Sequence, residues 1–225
     1  SFYPHVDKND DNNNNNKYND IASKYMEIVL PYDNDNKVFA TKPGMPLFDK
    51  DICQQIIQDI EEYIVENGGW TTSRHYAVPT TDVPVHKVPK VLEQFNFILK
   101  TKLFPSLSVM YNVPFESLRI IDAFVVKYNS KRQRKLPIHV DQSQFSFTVA
   151  LNDQSEYSGG GLYLPDRKEV VNTDAGGVMM FNGTTSHGGY PVFHGTRYII
   201  AVFCYSTTHQ LRKEEEGNGG GGEKP

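Results

Sequence analysis

The sequence predicts an α+β fold whose main part is a double-stranded β-helix of jelly-roll type with flanking N-terminal helices. Two observations predict it. Before residue 104, apolar side chains recur at helical spacing in two stretches. After Leu118, short strand-like runs alternate with Gly, Asn and Pro. The chain has 225 residues, 38% of them hydrophobic, which is enough to form the core of one domain.

Two helices are predicted from the apolar periodicity. The first spans residues 49–67, with Asp49 as its N-cap and Gly68 and Gly69 after its end. The second spans residues 89–103 and has Pro89 in its first turn, where proline is well tolerated. Their apolar faces consist of Ile52, Cys53, Ile56, Ile57, Ile60, Tyr63 and Ile64, and of Val91, Leu92, Phe95, Ile98 and Leu99. Both helices are expected to pack on the outside of the β-structure.

The predicted strands follow in the second half of the chain. Apolar or alternating runs cover residues 119–128, 145–151, 159–164, 177–181 and 197–205. Short strands separated by turn residues indicate a β-sandwich or a barrel. One of these runs begins with Gly159-Gly160-Gly161. It lacks the Lys-Ser/Thr pair and the helix that follow a phosphate loop, so it indicates a bend or a close backbone approach.

Both ends of the chain are polar. Residues 1–20 include five consecutive asparagines, and residues 209–225 include three consecutive glutamates and four consecutive glycines. Neither segment has enough apolar side chains to contribute to a core, so both are expected to be disordered. Residues 21–208 are therefore expected to form the folded domain.

Composition restricts the classes of partner. The formal net charge is -4, so nucleic acid is not favoured, and residues 131–135 are a local basic exception. No run approaches the roughly 18 apolar residues of a membrane span, so no membrane partner is expected. Cys53 and Cys204 fall on a predicted helix and a predicted strand. They are expected to be separate buried thiols, which leans towards the cytoplasm as a reducing compartment.

A metal site is predicted from His139, Asp141 and His187. His139 and Asp141 are two positions apart, so on a strand they point to the same face. Two imidazoles and one carboxylate form the facial triad that is typical of non-haem Fe(II) sites. Arg197, ten residues after His187, begins an apolar run and presents a planar fork suited to a carboxylate. The alternative is a pair of satisfied histidines with a salt-bridged Arg197.

Residues 76–205 resemble the C-terminal catalytic domain of procollagen lysyl hydroxylases. The matching stretches are Val78-Pro79-Thr80-Thr81-Asp82-Val83, Asp122-Ala123-Phe124-Val125-Val126-Lys127-Tyr128, His139-Val140-Asp141-Gln142-Ser143, Phe147-Thr148-Val149-Ala150-Leu151-Asn152, Tyr157-Ser158-Gly159-Gly160-Gly161 and Gly195-Thr196-Arg197-Tyr198-Ile199. The resemblance implies a cupin-like core with His139, Asp141 and His187 as iron ligands and Arg197 as the 2-oxoglutarate anchor. The wider superfamily, which includes prolyl hydroxylases, places a Tyr about ten residues before the first His on the same carboxylate, and Tyr128 lies eleven before His139.

The resemblance also implies an enzyme. It is expected to use Fe(II), 2-oxoglutarate and O2, with ascorbate as a helper, to hydroxylate a C–H bond of a peptidyl lysine or proline and to release succinate and CO2. A hydroxylase of free amino acids or other small molecules and a non-catalytic jelly-roll binding module are the alternatives. Arg74, His75 and Asp82 are candidate substrate residues. The substrate is expected to enter between residues 70–82 and 129–136.

Overall fold

A computed structural model of the chain describes residues 14–33, 35–72, 74 and 78–208. Within these residues the chain forms four α-helices and twelve strands. The helices are α1 (Asn14–Ser23), α2 (Lys50–Glu66), α3 (Pro89–Ile98) and α4 (Phe104–Tyr111). The strands are β1 (Tyr25–Ile28), β2 (Val38–Thr41), β3 (Asp82–Pro84), β4 (Leu118–Asn129), β5 (Leu136–His139), β6 (Phe145–Ala150), β7 (Tyr157–Gly159), β8 (Leu162–Leu164), β9 (Glu169–Val171), β10 (Val178–Asn182), β11 (His187–Gly189) and β12 (Val192–Ser206).

The strands form two antiparallel sheets. In the described part of the chain, the major sheet has the order β1-β2-β10-β6-β12-β4-β3, and β7 pairs with the first residues of β12. The minor sheet has the order β5-β11-β8-β9. Sequence neighbours are often not sheet neighbours, as expected of a jelly roll. The predicted α+β class with a double-stranded β-helix is confirmed.

The major sheet separates the core beneath the helices from a cavity between the two sheets. On β12, Ile200 and Val202 belong to the large buried cluster shared with the helices, whereas Ile199 and Ala201 line the cavity. The neighbouring strand β4 alternates in the same way, with Val125 on the helix side and Val126 on the cavity side. Alternation follows from the two-residue period of a strand. Consecutive side chains on the cavity face of one strand are therefore two residues apart in the sequence.

The first predicted helix is confirmed as α2, which is one residue shorter at each end than predicted. Asp49 occupies the N-cap position with extended backbone but makes no side-chain capping hydrogen bond. Gly68 and Gly69 follow with φ angles of +84° and +92°, a conformation that glycine adopts most readily and that ends the helix. The buried side of α2 packs against the major sheet, which confirms that the helices lie outside the β-structure.

The second predicted helix is longer than predicted. After α3, residues Leu99–Leu103 form a wide π-helical segment, and α4 continues the run. Pro105 explains the wide turn, because its ring lacks an N–H and crowds the carbonyl four residues earlier in a regular α-helix. The prediction that the helix ends at residue 103 is therefore wrong. The run ends at Asn112, which is left-handed with φ 51°.

Four of the five predicted strands are confirmed as β4, β6, β10 and β12. The fifth, at residues 159–164, is two strands: β7 ends at Gly159 and β8 begins at Leu162. The three glycines at positions 159, 160 and 161 have φ angles of 76°, 68° and 105°, which extended strand backbone does not accommodate. The predicted bend is thus confirmed, and a continuous strand across it is wrong.

The boundary of the folded domain lies earlier than predicted. Residues 14–20 were expected in a disordered segment, but they belong to α1, which packs against α4. Ile21 anchors α1, because its side chain is 7% exposed and joins the main core. Burial of one apolar anchor outweighs the weak helix propensity of the asparagines around it. Residues 1–13 and 209–225 lie outside the described residues.

Two further expectations concern the cysteines and membrane spans. Cys53 on α2 and Cys204 on β12 are both buried and free, so they are separate thiols, as predicted. Among the helices that the structure describes, none combines the length and apolar character needed to cross a membrane.

Glu61 joins α2 to the major sheet. Its carboxylate accepts hydrogen bonds from Lys127 Nζ at 2.7 Å, from the Tyr198 hydroxyl at 2.6 Å and from Trp70 Nε1 at 3.3 Å. Lys127 Nζ also lies 5.1 Å from the Trp70 ring centroid and 5.3 Å from that of Tyr198. Trp70 is thus held on the helix side of the sheet and does not line the cavity.

Replacing Glu61 with alanine should lower the free energy of unfolding by about 1 to 2 kcal/mol, because three donors lose their common acceptor in a half-buried position. Urea unfolding measures this as a lower midpoint at unchanged slope. Glu62→Ala is the matched control, since Glu62 is exposed on the same helix. Equal midpoints for the two variants would show that the Glu61 contacts contribute nothing to stability.

Candidate active site

Strand pairing brings the two predicted histidine ligands together. His139 at the end of β5 lies directly opposite His187 at the start of β11, and their ring centroids are 4.4 Å apart. Directly opposite side chains in an antiparallel pair are neighbours on one face of the sheet. Phe181 packs against His187 with a centroid separation of 4.5 Å and closes the buried side of the pair.

Each histidine ring is oriented by the backbone carbonyl of the residue two positions before it. His139 Nδ1 lies 2.8 Å from the carbonyl oxygen of Pro137, and His187 Nδ1 lies 2.9 Å from that of Thr185. A carbonyl oxygen only accepts, so each Nδ1 carries the proton and donates. In neutral rings this leaves Nε2 with its lone pair directed to the space between the histidines, as ligating histidines are commonly held.

Asp141 completes the cluster from a loop and not from a strand. β5 ends at His139, so the expectation that His139 and Asp141 share one strand face is wrong. The Asp141 amide donates to the carbonyl of Gly183 at 2.8 Å, and its Oδ2 accepts from Ser146 Oγ at 2.5 Å. A Cβ on Gly183 would lie 2.0 Å from the carbonyl oxygen of Ser143, so only glycine lets these two loops meet.

The three candidate ligand atoms lie within 4.8 Å of one another. Asp141 Oδ1 is 3.4 Å from His139 Nε2, and Asp141 Oδ2 is 3.7 Å from His187 Nε2. One ion can lie between them. Their chemistry is that of a facial triad, which leaves the other coordination positions open.

The protonation states suit a cation. Burial lowers the pKa of His187 below its ordinary value. Burial would raise the pKa of Asp141, but the hydrogen bonds and charges of the two histidines and Ser146 outweigh it and hold the pKa below its usual range. At His139 burial also lowers the pKa, yet the contact with Asp141 prevails and raises it. Neutral His187 and ionised Asp141 are the forms that bind metal ions.

Arg197 extends into the same cavity from β12. Its side chain is buried at 4% exposure, and its Nε has no hydrogen-bond partner among the described residues. The alternative of a salt-bridged Arg197 is not borne out, because no carboxylate of the described chain pairs with it within 4.0 Å. Tyr128 lies opposite on β4, with its ring centroid 5.9 Å from the Arg197 guanidinium carbon. Burial raises the pKa of Tyr128 to about 12, so its hydroxyl keeps its proton and can donate.

Two residues hold Arg197 in place. A Cβ on Gly160 would lie 2.9 Å from Arg197 Cδ, so the absent side chain makes room for the arginine. Asn152 is buried and binds the backbone on both sides of Arg197: its Nδ2 donates to the carbonyl of Thr196 at 2.9 Å, and its Oδ1 accepts from the amide of Tyr198 at 2.9 Å. The guanidinium position therefore depends on the loop after β6 as well as on β12.

His139, Asp141, His187, Arg197 and Tyr128 all line one cavity of about 450 Å³. This volume lies within the range of small-ligand sites, roughly 300 to 1,000 Å³. The remaining walls are mainly apolar, and they include Phe124, Val126, Leu162, Phe181, Ile199 and Ala201. Apolar walls exclude water and strengthen the few charged contacts inside.

The side chains that line the cavity fit both Fe(II) and the carboxylate of 2-oxoglutarate, the two groups that the sequence implies. Nitrogen and carboxylate donors suit Fe(II). A buried guanidinium with an unpartnered Nε in the same cavity fits a carboxylate ligand, because an isolated buried charge is costly. These residues can hold a metal ion at one end of the cavity and an anionic group against Arg197.

The candidate substrate residues lie at the rim of the cavity or beyond it. Arg74 lines the cavity, and its guanidinium pairs with Asp82 at 2.6 Å and with Asp122 at 2.8 Å. Asp82 is buried, does not line the cavity and also accepts a hydrogen bond from Thr80. His75 lies outside the described residues. Asp82 therefore holds Arg74, and of this ion-paired group Arg74 and Asp122 line the cavity.

Residues 70–82 and 129–136, which flank the predicted entrance, contact each other at Gln133. Its side-chain amide donates to the carbonyl of Pro79 at 2.5 Å and accepts from the amide of Thr81. The two segments are thus hydrogen-bonded to each other at this point. Arg74, Val78 and Thr80 of the first segment and Leu136 of the second line the cavity, so an entrance between the two segments stays a prediction.

Three residues near the site were missed by sequence reasoning. Ser146 and Asn152 act through hydrogen bonds to Asp141 and to the backbone around Arg197, and Asp122 binds Arg74 across the rim. Ser146, Asn152 and Asp122 are polar residues within or beside apolar strands, and that irregularity is the signal that could have found them.

The comparisons with known proteins agree with this geometry. Residues 123–205 match the family model described as the 2OG-Fe(II) oxygenase superfamily. Procollagen-lysine,2-oxoglutarate 5-dioxygenase 2 of Homo sapiens is 30% identical over 171 residues, which cover 70% of this chain and 22% of that protein. The multifunctional procollagen lysine hydroxylase and glycosyltransferase of Caenorhabditis elegans is 31% identical over 192 residues, which cover 80% and 26%. The chain thus spans about a quarter of the length of these relatives.

Solved structures share the fold. The α-ketoglutarate-dependent carbocyclase SnoK from nogalamycin biosynthesis superposes with a TM-score of 0.57 at 15% identity, over 77% of this chain and 86% of SnoK. HygX from Streptomyces hygroscopicus, solved with nickel and 2-oxoglutarate bound, superposes with a TM-score of 0.54 at 16% identity, over 76% and 82%. The matched family model spans the three candidate ligands and Arg197. Residues 123–205 of this chain belong to the 2OG-Fe(II) oxygenase superfamily.

Proposed function

We propose that this chain is an Fe(II)- and 2-oxoglutarate-dependent dioxygenase that hydroxylates a C–H bond of a peptidyl lysine or proline, with release of succinate and CO2. One observation carries the proposal. A single cavity combines three candidate metal ligands within 4.8 Å of one another with a buried arginine whose Nε has no partner in the described chain. A carbohydrate- or ion-binding jelly roll has no need for that combination.

In this proposal His139 Nε2, His187 Nε2 and the Asp141 carboxylate bind Fe(II). Thr185, Pro137 and Ser146 hold these three side chains by hydrogen bonds, so the ligands are oriented before the metal arrives. Pre-oriented ligands lose little conformational entropy on binding.

Arg197 and Tyr128 bind the 2-oxoglutarate carboxylate that is remote from the metal. The guanidinium contributes a charge-assisted contact in an apolar surrounding, and the protonated Tyr128 hydroxyl donates a further hydrogen bond. Together, bound Fe(II), 2-oxoglutarate and O2 supply the oxidising chemistry, and ascorbate is expected to keep the iron reduced. The protein side chains position the groups and exclude water.

The substrate class rests on the relatives. One relative is named a procollagen-lysine,2-oxoglutarate 5-dioxygenase and the other a multifunctional procollagen lysine hydroxylase and glycosyltransferase. A peptide side chain that reaches the metal from the rim passes Arg74 and Asp122. We infer that these two residues contact the substrate, with Asp82 holding Arg74 from behind. The free buried thiols Cys53 and Cys204 favour a reducing compartment such as the cytoplasm.

Succinate release in the presence of Fe(II), 2-oxoglutarate and ascorbate tests the proposal. Peptides containing lysine or proline should stimulate release and gain one oxygen atom, as measured by mass spectrometry. If only free amino acids or other small molecules stimulate succinate release, the chain is a small-molecule hydroxylase and the peptide-substrate proposal fails. A chain that binds 2-oxoglutarate but never releases succinate with any substrate would favour a binding module.

Asn152→Ala should raise the Michaelis constant for 2-oxoglutarate by about tenfold, because the backbone on both sides of Arg197 loses its buried hydrogen-bond partner. The effect should fall on the Michaelis constant more than on kcat, and Fe(II) affinity should not change. Ser155→Ala is the control, since Ser155 is exposed three residues later. A loss of kcat at an unchanged Michaelis constant would contradict a positioning role for Asn152.

A further inference from the structure

We propose that the turn preceding His139 is a docking surface for acidic polypeptide, so that the preferred substrates carry carboxylate residues about four positions from the modified residue. We call this surface the basic turn and define it as Lys131, Arg132, Arg134 and Lys135. The proposal rests on the proposed function and specifies its substrate class.

The basic turn concentrates positive charge on a chain of net charge -4. All four side chains are exposed, and within the described residues none has a carboxylate within 4.0 Å. By contrast, Arg74 and Lys127 are already paired with acidic side chains. Four unpaired cations on adjacent positions present an electrostatic surface that an acidic partner complements.

Hydrogen bonds hold the turn in a defined shape. Gln133, the middle residue of the run, uses its side chain on the backbone of Pro79 and Thr81. Asn129 accepts from the amides of Lys131 and Arg132 and donates its own amide to the carbonyl of Gln133. The four charged residues are therefore carried by an anchored turn, so docking a partner costs less backbone entropy than it would on a free loop.

The turn leads directly along β5 to the metal ligands. β5 is an edge strand in the described minor sheet, since it pairs only with β11. Ile138 and Val140 on either side of His139 are 57% and 55% exposed, and Val140 lines the cavity. An extended peptide beside this edge can cover these apolar side chains and form backbone hydrogen bonds with the strand.

The length of β5 sets the spacing of the acidic residues. Four residue steps separate Lys135 from His139, which is about 13 Å at roughly 3.3 Å per residue. An extended peptide beside the strand covers the same distance in four residues. When a substrate side chain enters the cavity near His139, the peptide residues about four positions away from it therefore lie against the basic turn.

Nucleic acid is the other polyanion that four cations attract. The described surface favours peptide, because the basic residues occupy one turn and do not continue as a broad positive face, and an edge strand with exposed apolar side chains adjoins them. A single-stranded oligonucleotide that competes at equal concentration would assign the turn to phosphate and overturn the proposal.

Fluorescence anisotropy tests docking independently of catalysis. The full chain is titrated against a labelled extended peptide that has one central lysine and, on each side, three glutamates centred four positions from that lysine. A second peptide has glutamine in place of each glutamate. The glutamate peptide should bind about tenfold tighter at low salt, and the preference should decline as salt screens the charges. Equal affinity of the two peptides would overturn the proposal.

A variant with Lys131→Gln, Arg132→Gln, Arg134→Gln and Lys135→Gln should lose the preference for the glutamate peptide. The control variant with Lys87→Gln and Lys100→Gln, exposed lysines near or on the helices, should keep it. A preference that persists in the first variant contradicts the assignment. Succinate release measured with the same peptides separates the two proposals: binding without hydroxylation overturns the enzyme function alone, and hydroxylation without glutamate preference overturns the docking surface alone.

Discussion

Asp141→Ala is expected to abolish succinate release and to weaken Fe(II) binding by at least two orders of magnitude. Asp141 is the only carboxylate of the described metal-ligand cluster, and it lies 3.4 Å and 3.7 Å from the Nε2 atoms of His139 and His187. Its removal leaves two imidazoles facing each other without a counter-charge, which destabilises a bound dication. Anaerobic Fe(II) titration gives the affinity, and single-turnover succinate release gives the activity.

His194→Ala is the matched control for this variant. His194 lies seven residues after His187 but is exposed on β12 and does not line the cavity. Fe(II) affinity and succinate release should be those of the unchanged chain. Ser146→Ala should lie between the two, with roughly tenfold weaker Fe(II) binding, because it removes only the hydrogen bond that orients Asp141. Intact Fe(II) affinity in Asp141→Ala would remove the basis of the metal-site assignment.

Arg197→Ala is expected to raise the Michaelis constant for 2-oxoglutarate by about 30-fold or more. The guanidinium is buried in an apolar cavity, and loss of a charge-assisted contact there costs roughly 2 to 4 kcal/mol. Fe(II) affinity should stay unchanged, since Arg197 is not one of the clustered ligands. The measurement is succinate release against 2-oxoglutarate concentration at saturating Fe(II).

Two variants control for the chemistry of this contact. Arg197→Lys keeps the charge but loses the planar fork, so it should recover part of the affinity. Tyr128→Phe removes one neutral hydrogen bond and should raise the Michaelis constant by several-fold. A dependence on 2-oxoglutarate that is unaltered in Arg197→Ala would show that the co-substrate carboxylate binds elsewhere.

Local periodicity predicted α2, the start of the second helical run and the long strands. α2 and the strands β4, β6, β10 and β12 bury alternate or helically spaced apolar residues, and such patterns depend only on neighbours along the chain. β1, β2, β3, β5, β9 and β11 escaped prediction because each is only three or four residues long, which is too short for a two-residue period to stand out. They exist because the sheet pairs them, and sheet pairing is a long-range property.

The candidate ligands show the same division. The spacing of His139, Asp141, His187 and Arg197 predicted a metal site with a carboxylate anchor, because ligand chemistry is a property of the side chains themselves. Their arrangement is tertiary. His139 and His187 are adjacent through the register of β5 and β11, and Asp141 joins them from a loop held by the carbonyl of Gly183.

Residue identity alone therefore predicted the superfamily and the candidate ligands of its site. Folding alone established which partners support them: Ser146 on Asp141, Asn152 and Gly160 around Arg197, and Gln133 beneath the basic turn. The physical reason is one of range. The charge and donor atoms of a side chain depend only on the residue at that position. A hydrogen bond between residues 44 or 54 positions apart forms only after the sheets have paired and the loops between them have closed.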